Sequence, residues 1–220
     1  MIDRGIWFGD IHSYFDLNLI LSSVDIPPAK PKTTYVDIAG GNGSIDLTEA
    51  HGEVKFSDRD CKFTFTMNPS CDLSDFAFEE KKTEISNLLN GNVFKITLDK
   101  DDEFYYLGRC SVSEYLSDRR IRQFVVEARV QPYKLKQTET VMSFDLTTEP
   151  QTVSLTNGRK IVSPVFNCSN NNTNIVFDNV YYSLDAGKHK LLGVRLKKGL
   201  NSITISGSGT LTISYQEGEL

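Results

Sequence analysis

The feature that most limits what this chain can become is a period-two alternation of apolar with polar residues, repeated along almost its whole length. In "NSITISGSGTLTISYQEGEL", residues 201–220, Ile203, Ile205, Leu211, Ile213 and Tyr215 alternate with Ser and Thr, and Gly207 and Gly209 break the alternation between them. Successive side chains of a strand point to opposite faces, so this pattern describes strands with one face on a core and the other in water. It reads as a hairpin that builds the terminus into a sheet. The same alternation runs through "DLNLIL" (Leu17, Leu19, Leu21), "KFTFTM" (Phe63, Phe65, Met67), "FKITL" (Phe94, Ile96, Leu98) and "QFVVEARV" (Phe124, Val126, Ala128, Val130).

One stretch has a different period. "SDFAFEEKKTEISNLLNG" is rich in helix formers, offers Ser74 as an N-cap, has Asp75, Glu79 and Glu80 near its start and Gly91 just past its end. Phe78, Ile85, Leu88 and Leu89 recur near helical spacing, which predicts a helix over about 74–90 with one apolar stripe on the sheet. Three prolines in "DIPPAKPK" remove amide donors and make an extended connector. "IAGGNGSIDL" supplies the glycines of a tight turn, and "HGEVKFSDRDCKFTF" reads as a polar-tipped excursion between strands. Near "RVQPYKLKQTE" the composition turns polar, and beyond it only strand signals follow. The expected fold is mainly β. An α+β first domain over residues 1–133, a β-sandwich or split barrel with one helix, precedes an all-β sandwich over 134–220.

Charge sorts the same way. The chain has 220 residues and a formal charge of -5, but residues 1–133 hold 15 Lys/Arg against 22 Asp/Glu while the remainder is slightly basic. An acidic half is a poor surface for DNA, RNA or anionic lipid, which bind through cationic patches that release counterions. Cys61, Cys71, Cys110 and Cys168 show no metal-ligand spacing and read as reduced, mostly buried thiols. The first residues lack the apolar core and cleavage site of a signal peptide, and nothing approaches the ~18 apolar residues of a membrane helix. The expectation is synthesis in a cytoplasm and no membrane insertion.

No constellation for catalysis stands out. Asp99, Asp101 and Glu103 mimic the start of a calcium loop, but Phe104 occupies the position that needs Gly and Cys110 the position that needs Glu, so a charged hairpin turn is the better reading. The Gly-rich "GGNGS" has no following Lys or helix. His12, His51 and His189 are too scattered to share a metal, no Ser sits in a nucleophile elbow, and the Asn-rich loop "FNCSNNNTN" reads as a soluble turn. The doublets Tyr105-Tyr106 and Tyr181-Tyr182 place rings on opposite sheet faces, some in the core and others toward a partner. No catalytic residue, cofactor or metal is expected.

Taken in order, "GIWFGDIHSYFDLNLIL", the Pro-rich connector, "DIAGGNGSIDL", "FKITLDKDDEFYYLGRCSV" after a helix, "VEARVQPYKL", "LTNGRKIVSPVF" and "LKKGLNSITISGSGTLTISYQEGEL" resemble the distal tail protein family of long-tailed, siphovirus-type bacteriophages. The resemblance implies a structural tail-tip or baseplate hub protein of the virion tail, made in the host bacterial cytoplasm. Its first domain would form a homo-hexameric ring, as six copies or two trimers, between the tail tube protein and the tail-tip and receptor-binding proteins, with DNA only in transit through the channel. Its second domain would be a galectin-like sandwich outside the ring. The chain has no room for the inserted carbohydrate-binding module of longer members. The excursion at 51–61 is the expected inter-subunit contact, with His51, Glu53, Lys55, Asp58, Arg59 and Asp60 as its polar residues. The competing reading is a carbohydrate-binding, lectin-like adhesion module, which requires an exposed aromatic residue on a sandwich face.

Overall fold

The apolar positions of the alternating segments are the ones the fold buries. The computed structural model describes residues 5–50, 52–118 and 121–220 and divides the chain into two units, Met1–Lys134 and Leu135–Leu220. Among these residues it is mainly β, with one helix. The first unit contains β1 (Ile6–Phe8), β2 (Ile11–His12), β3 (Leu19–Asp25), β4 (Tyr35–Asp37), β5 (Ser44–Asp46), β6 (Arg59–Met67), α1 (Asp75–Leu89), β7 (Val93–Leu98), β8 (Asp101–Asp118) and β9 (Ile121–Val130). Seven of these strands form an antiparallel sheet in the order β2-β1-β7-β8-β9-β6-β3, and β4 pairs only with β5.

Within that sheet β6 and β9 run antiparallel with Phe63 opposite Val126 and Phe65 opposite Phe124. All four are fully or almost fully buried, as are Cys61, Met67, Ala128 and Val130 on the same face. The sheet is rolled. Four strand spacings separate β1 from β6, about 19 Å in a flat sheet, yet the rings of Phe8 and Phe65 lie 6.0 Å apart. Ile6, Phe8, Leu19 and Phe124 accordingly share one core cluster. Strands β8 and β9 approach closely at Gly108, where a Cβ would come within 2.5 Å of the Arg129 carbonyl and 2.6 Å of Val130.

Helix α1 closes the face. The Ser74 hydroxyl accepts a hydrogen bond from the Ala77 amide at 3.2 Å, and the helix stops at Asn90 ahead of Gly91, whose φ is +80°. Phe78, Ile85 and Leu89 are buried and Leu88 is half-buried, so the expected stripe is the observed one. The ring of Phe78 meets Phe124 edge-on at 5.3 Å. Arg122, 8 % exposed, donates to the Asp75 carboxylate at 2.5 Å and lies over the Phe78 ring, tying the helix start to β9. The acidic turn is a hairpin turn: Leu98 pairs with Asp101 across Asp99 and Lys100.

The second unit contains β11 (Thr140–Leu146), β12 (Gln151–Asn157), β13 (Val165–Cys168), β14 (Thr173–Phe177), β15 (Val180–Leu184), β16 (Gly187–Lys190), β17 (Gly199–Ser206) and β18 (Gly209–Tyr215), with β10 (Lys134–Lys136) at its start and β19 (Gly218–Glu219) at its end. Two four-stranded sheets, β11-β18-β13-β16 and β12-β17-β14-β15, enclose a single core that includes Leu155, Phe166, Ile175, Ile205 and Ile213. β19 pairs with β10, so the terminal segment does lie in a sheet.

The closing hairpin does not form. β17 pairs with β12 and β14, while β18 pairs with β11 and β13, so the chain crosses from one sheet to the other between them. Alternation is identical in both arrangements. Inward side chains of a hairpin point the same way, whereas here Ile203 and Ile205 point toward Leu211 and Ile213 from the opposite sheet. The crossing uses Gly207 and Gly209 at φ +142° and +83°, and a Cβ on Gly209 would lie 2.3 Å from the Ser169 hydroxyl.

All four cysteines are free, with Cys71 partly exposed and the others buried. Burial pushes the Cys61 thiol up to about 11 and the Cys110 thiol up to about 12, and it raises Cys168 as well. A thiol-specific disulfide reagent should react quickly with Cys71 alone, because it is accessible while the other three are buried; Cys71→Ser should abolish that phase, and unfolding should make every remaining thiol reactive. Phe124→Ala should lower the unfolding free energy by about 3–5 kcal/mol in a denaturant titration, since it empties the space between Phe78, Phe65 and Tyr115.

Candidate assembly surface

Between β3 and β6, adjacent in the sheet, the chain makes an excursion from the sheet, described over residues 26–50 and 52–58. This excursion has two legs and a tip. Backbone hydrogen bonds from Lys32 to the Lys55 carbonyl and from Ser57 to the Lys30 carbonyl, with a bridge between Pro31 and Phe56, hold the legs together. Farther out, β4 and β5 pair with Tyr35 opposite Asp46 and Val36 opposite Ile45, and the Leu47 amide donates to the Thr34 carbonyl. Gly40 and Gly43, at φ +73° and +80°, turn the chain at the tip. The Pro-rich connector, the Gly-rich turn and the polar stretch at 52–58 are therefore the outgoing leg, tip and returning leg of one arm. The sequence presents them as three separate features because pairing across the arm has no local signature.

Register gives the arm two unlike faces. Val36, Ile45 and Leu47 lie on one side and Tyr35, Asp37, Ser44 and Asp46 on the other. The three apolar residues are 46 %, 50 % and 41 % exposed, and Ile38 at the turn is 46 % exposed. An isolated two-stranded ribbon is marginal in water, and a contiguous apolar face without a core is what a protein partner covers.

The expected contact residues separate into different roles. His51 lies outside the described residues. Lys55 pairs with Glu53 on the returning leg. Arg59 is 6 % exposed; its guanidinium donates to the Pro132 carbonyl and sits 5.8 Å from the Tyr106 ring, so it serves the interior. Asp58 is exposed and pairs with Arg129 at 3.2 Å. Asp60 stands opposite Arg129, which stands opposite Arg109, in one row across β6, β9 and β8. Asp58 and Asp60 thus join Arg109, Arg129 and Glu127 around an outward groove of about 440 Å³. The arginines come from strands remote in sequence, so only the register brings them there.

His12 and His189 have structural partners. His12 is buried; its Nδ1 accepts hydrogen bonds from the Tyr14 and Phe15 amides, which leaves the proton on Nε2, 3.2 Å from both Asp99 oxygens. Asp101 pairs with Lys134 at 2.6 Å. His189 Nε2 lies 2.8 Å from the Asp185 carbonyl. Among the described residues no group of three or more His, Cys, Asp or Glu side chains is placed to hold a metal ion. Tyr105 and Tyr106 are both buried, and in the other doublet Tyr182 packs on the core while Tyr181 is 63 % exposed.

No protein-family model matches the sequence, and no curated protein matches it. Among solved structures the chain is similar to the Dit protein (gp 19.1) of phage SPP1, presented as a paradigm of the hub adsorption apparatus in phages that infect Gram-positive hosts. Identity is 12 %, the TM-score is 0.73, and the alignment covers 97 % of this chain and 98 % of the SPP1 protein. With almost no residue-level similarity left, what the two chains share from end to end is the fold of a phage hub protein.

Proposed function

We propose that this protein is a structural component of a phage tail hub, a distal tail protein of the virion. The carrying observation is the match to the SPP1 hub protein over nearly the full length of both chains. In this reading the first unit assembles into a ring of six copies, as one hexamer or two trimers, between the tail tube and the tail-tip and receptor-binding proteins. The second unit, a galectin-like sandwich, is the attachment platform. The apolar face of the arm and the charged row around Asp58 and Asp60 are the inter-subunit contacts. Excess carboxylates in the first unit let DNA pass through the ring without adhering, because like charge lowers nonspecific affinity. Among the described residues no helix is long and apolar enough to cross a membrane. The alternative, a sugar-binding module, draws on the exposed ring of Tyr181, whose hydroxyl donates to Asn174 at 2.6 Å on the outer face of a sheet.

Light scattering behind a sizing column, over a concentration series, tests the assembly. The expected result is a concentration-driven shift to trimer or hexamer. Val36→Asp with Ile45→Asp should weaken association at least about tenfold, or about 1.4 kcal/mol, and leave the melting temperature nearly unchanged because both side chains are already exposed. A strict monomer at every concentration moves the weight to the sugar-binding reading. Reversing Asp58 and Asp60 to Lys should also weaken association, while costing the fold less than about 1 kcal/mol for the exposed pair with Arg129; an unaltered oligomer would remove the charged row from the interface.

A further inference from the structure

The second unit holds a pair of lysines in a cleft that the hub reading does not use. Ser214, Val165 and Lys190 stand side by side across β18, β13 and β16 on the outward side of their sheet. With Lys160, Ser163 and Gln216 they line a cleft of about 420 Å³. Among the described residues neither Lys160 nor Lys190 has an ion-pair partner, in contrast with Lys136, which pairs with Glu217. One carboxylate, the exposed Glu139, also lines the cleft.

Lys160 is held in place. Its amide donates to the Gly218 carbonyl at 2.9 Å, and its own carbonyl accepts from the Asn157 side chain at 2.8 Å. Asn157 is 3 % exposed and also donates to the Leu196 carbonyl, which anchors the segment between β12 and β13. Gly218 makes room for the lysine stem, since a Cβ there would lie 3.1 Å from two of its carbons. Burial and the neighbouring Lys190 ammonium both lower the Lys160 pKa, so the charge is kept at a cost to the fold. Groups that are costly when empty and preorganised by their surroundings are characteristic of binding sites.

We infer that this cleft binds a phosphate ester of a sugar or polyol, its anionic group bridging Lys160 and Lys190 and its hydroxyl-bearing body lying against Ser163, Ser214 and Gln216. Two ammonium groups act as point charges on the phosphate oxygens, and the Ser and Gln side chains both donate and accept, as hydroxyl groups require. Val165 and the exposed Leu192 supply an apolar wall for the carbon skeleton. The cleft lies wholly within the second unit, so its occupancy does not depend on ring formation.

Calorimetric titration of the full chain with glycerol phosphate, inorganic phosphate and glycerol, at low and high salt, tests the site. Glycerol phosphate should bind with a dissociation constant on the order of 1 mM or tighter, weaken with added salt, and bind more tightly than inorganic phosphate; glycerol alone should give no signal. Lys160→Gln and Lys190→Gln should each reduce affinity about tenfold, while Lys198→Gln, away from the cleft, should not alter it. Because Lys160 is charged against its environment, Lys160→Gln should melt no lower than the parent, which separates lost binding from lost folding. Absence of glycerol phosphate binding, or binding unchanged in the double variant, overturns the site. Equal affinity for inorganic phosphate overturns the sugar or polyol assignment.

Discussion

The antiparallel contact between β6 and β9, with Phe65 facing Phe124, is the interaction on which the first unit depends. It sets the register that puts Phe63, Val126, Cys61 and Ala128 on one buried face. Phe78 of the helix packs against Phe124 from above that face, and Phe8 reaches Phe65 from the far side of the rolled sheet. A one-residue slip would turn every one of these side chains toward water and bring Lys62, Thr64 and Thr66 inward. The same register aligns Asp60 with Arg129 and Arg109 outside. Core and charged surface are two faces of one pairing.

The two ends of β6 do different work. At one end, β6 continues backward into the arm, which has hydrogen-bonded legs, no core of its own and an apolar face of Val36, Ile45 and Leu47. At the other, β6 leads through the capped turn into α1, fastened by Arg122 and the Ser74 cap. A single chain segment therefore runs from an element that lacks a partner to one that is fully packed. Stability is concentrated in the sheet and helix, and the arm, with few buried contacts, belongs to the low-stability part of the molecule. Binding surfaces are commonly built this way, since a partner supplies the burial that the isolated element lacks.

What could be read from the sequence follows the physical range of each signal. Burial at Phe63, Phe65, Phe124 and Val126 was legible because alternation is a property of a few neighbouring residues, and the helix at Asp75–Leu89 because its cap and stripe are local. The buried role of Arg59 was not legible: its partners, Pro132 and Tyr106, lie far along the chain, and a charged residue in a polar stretch reads as solvated. The unity of the arm was hidden for the same reason. Arg122 carried no signal either, since its partners Asp75 and Leu73 come from the helix start. The lysine cleft is assembled from three strands and the segments beside them, whose sequences show no motif, and only the tertiary fold places Lys160 near Lys190.

The crossing at Gly207 and Ser208 also governs how the second unit can fold. β17 lies between β12 and β14 in one sheet, and β18 lies between β11 and β13 in the other. Take both away and each sheet falls into separate pieces, although they are nearly the last strands of the unit in chain order. No early subset of strands can settle into a stable half, and the contacts that close the sandwich span most of its length. In a topology of this kind the pairings that complete both sheets form late, so folding is slow and the earlier strands keep open edges on which mispairing can act until β17 and β18 are placed.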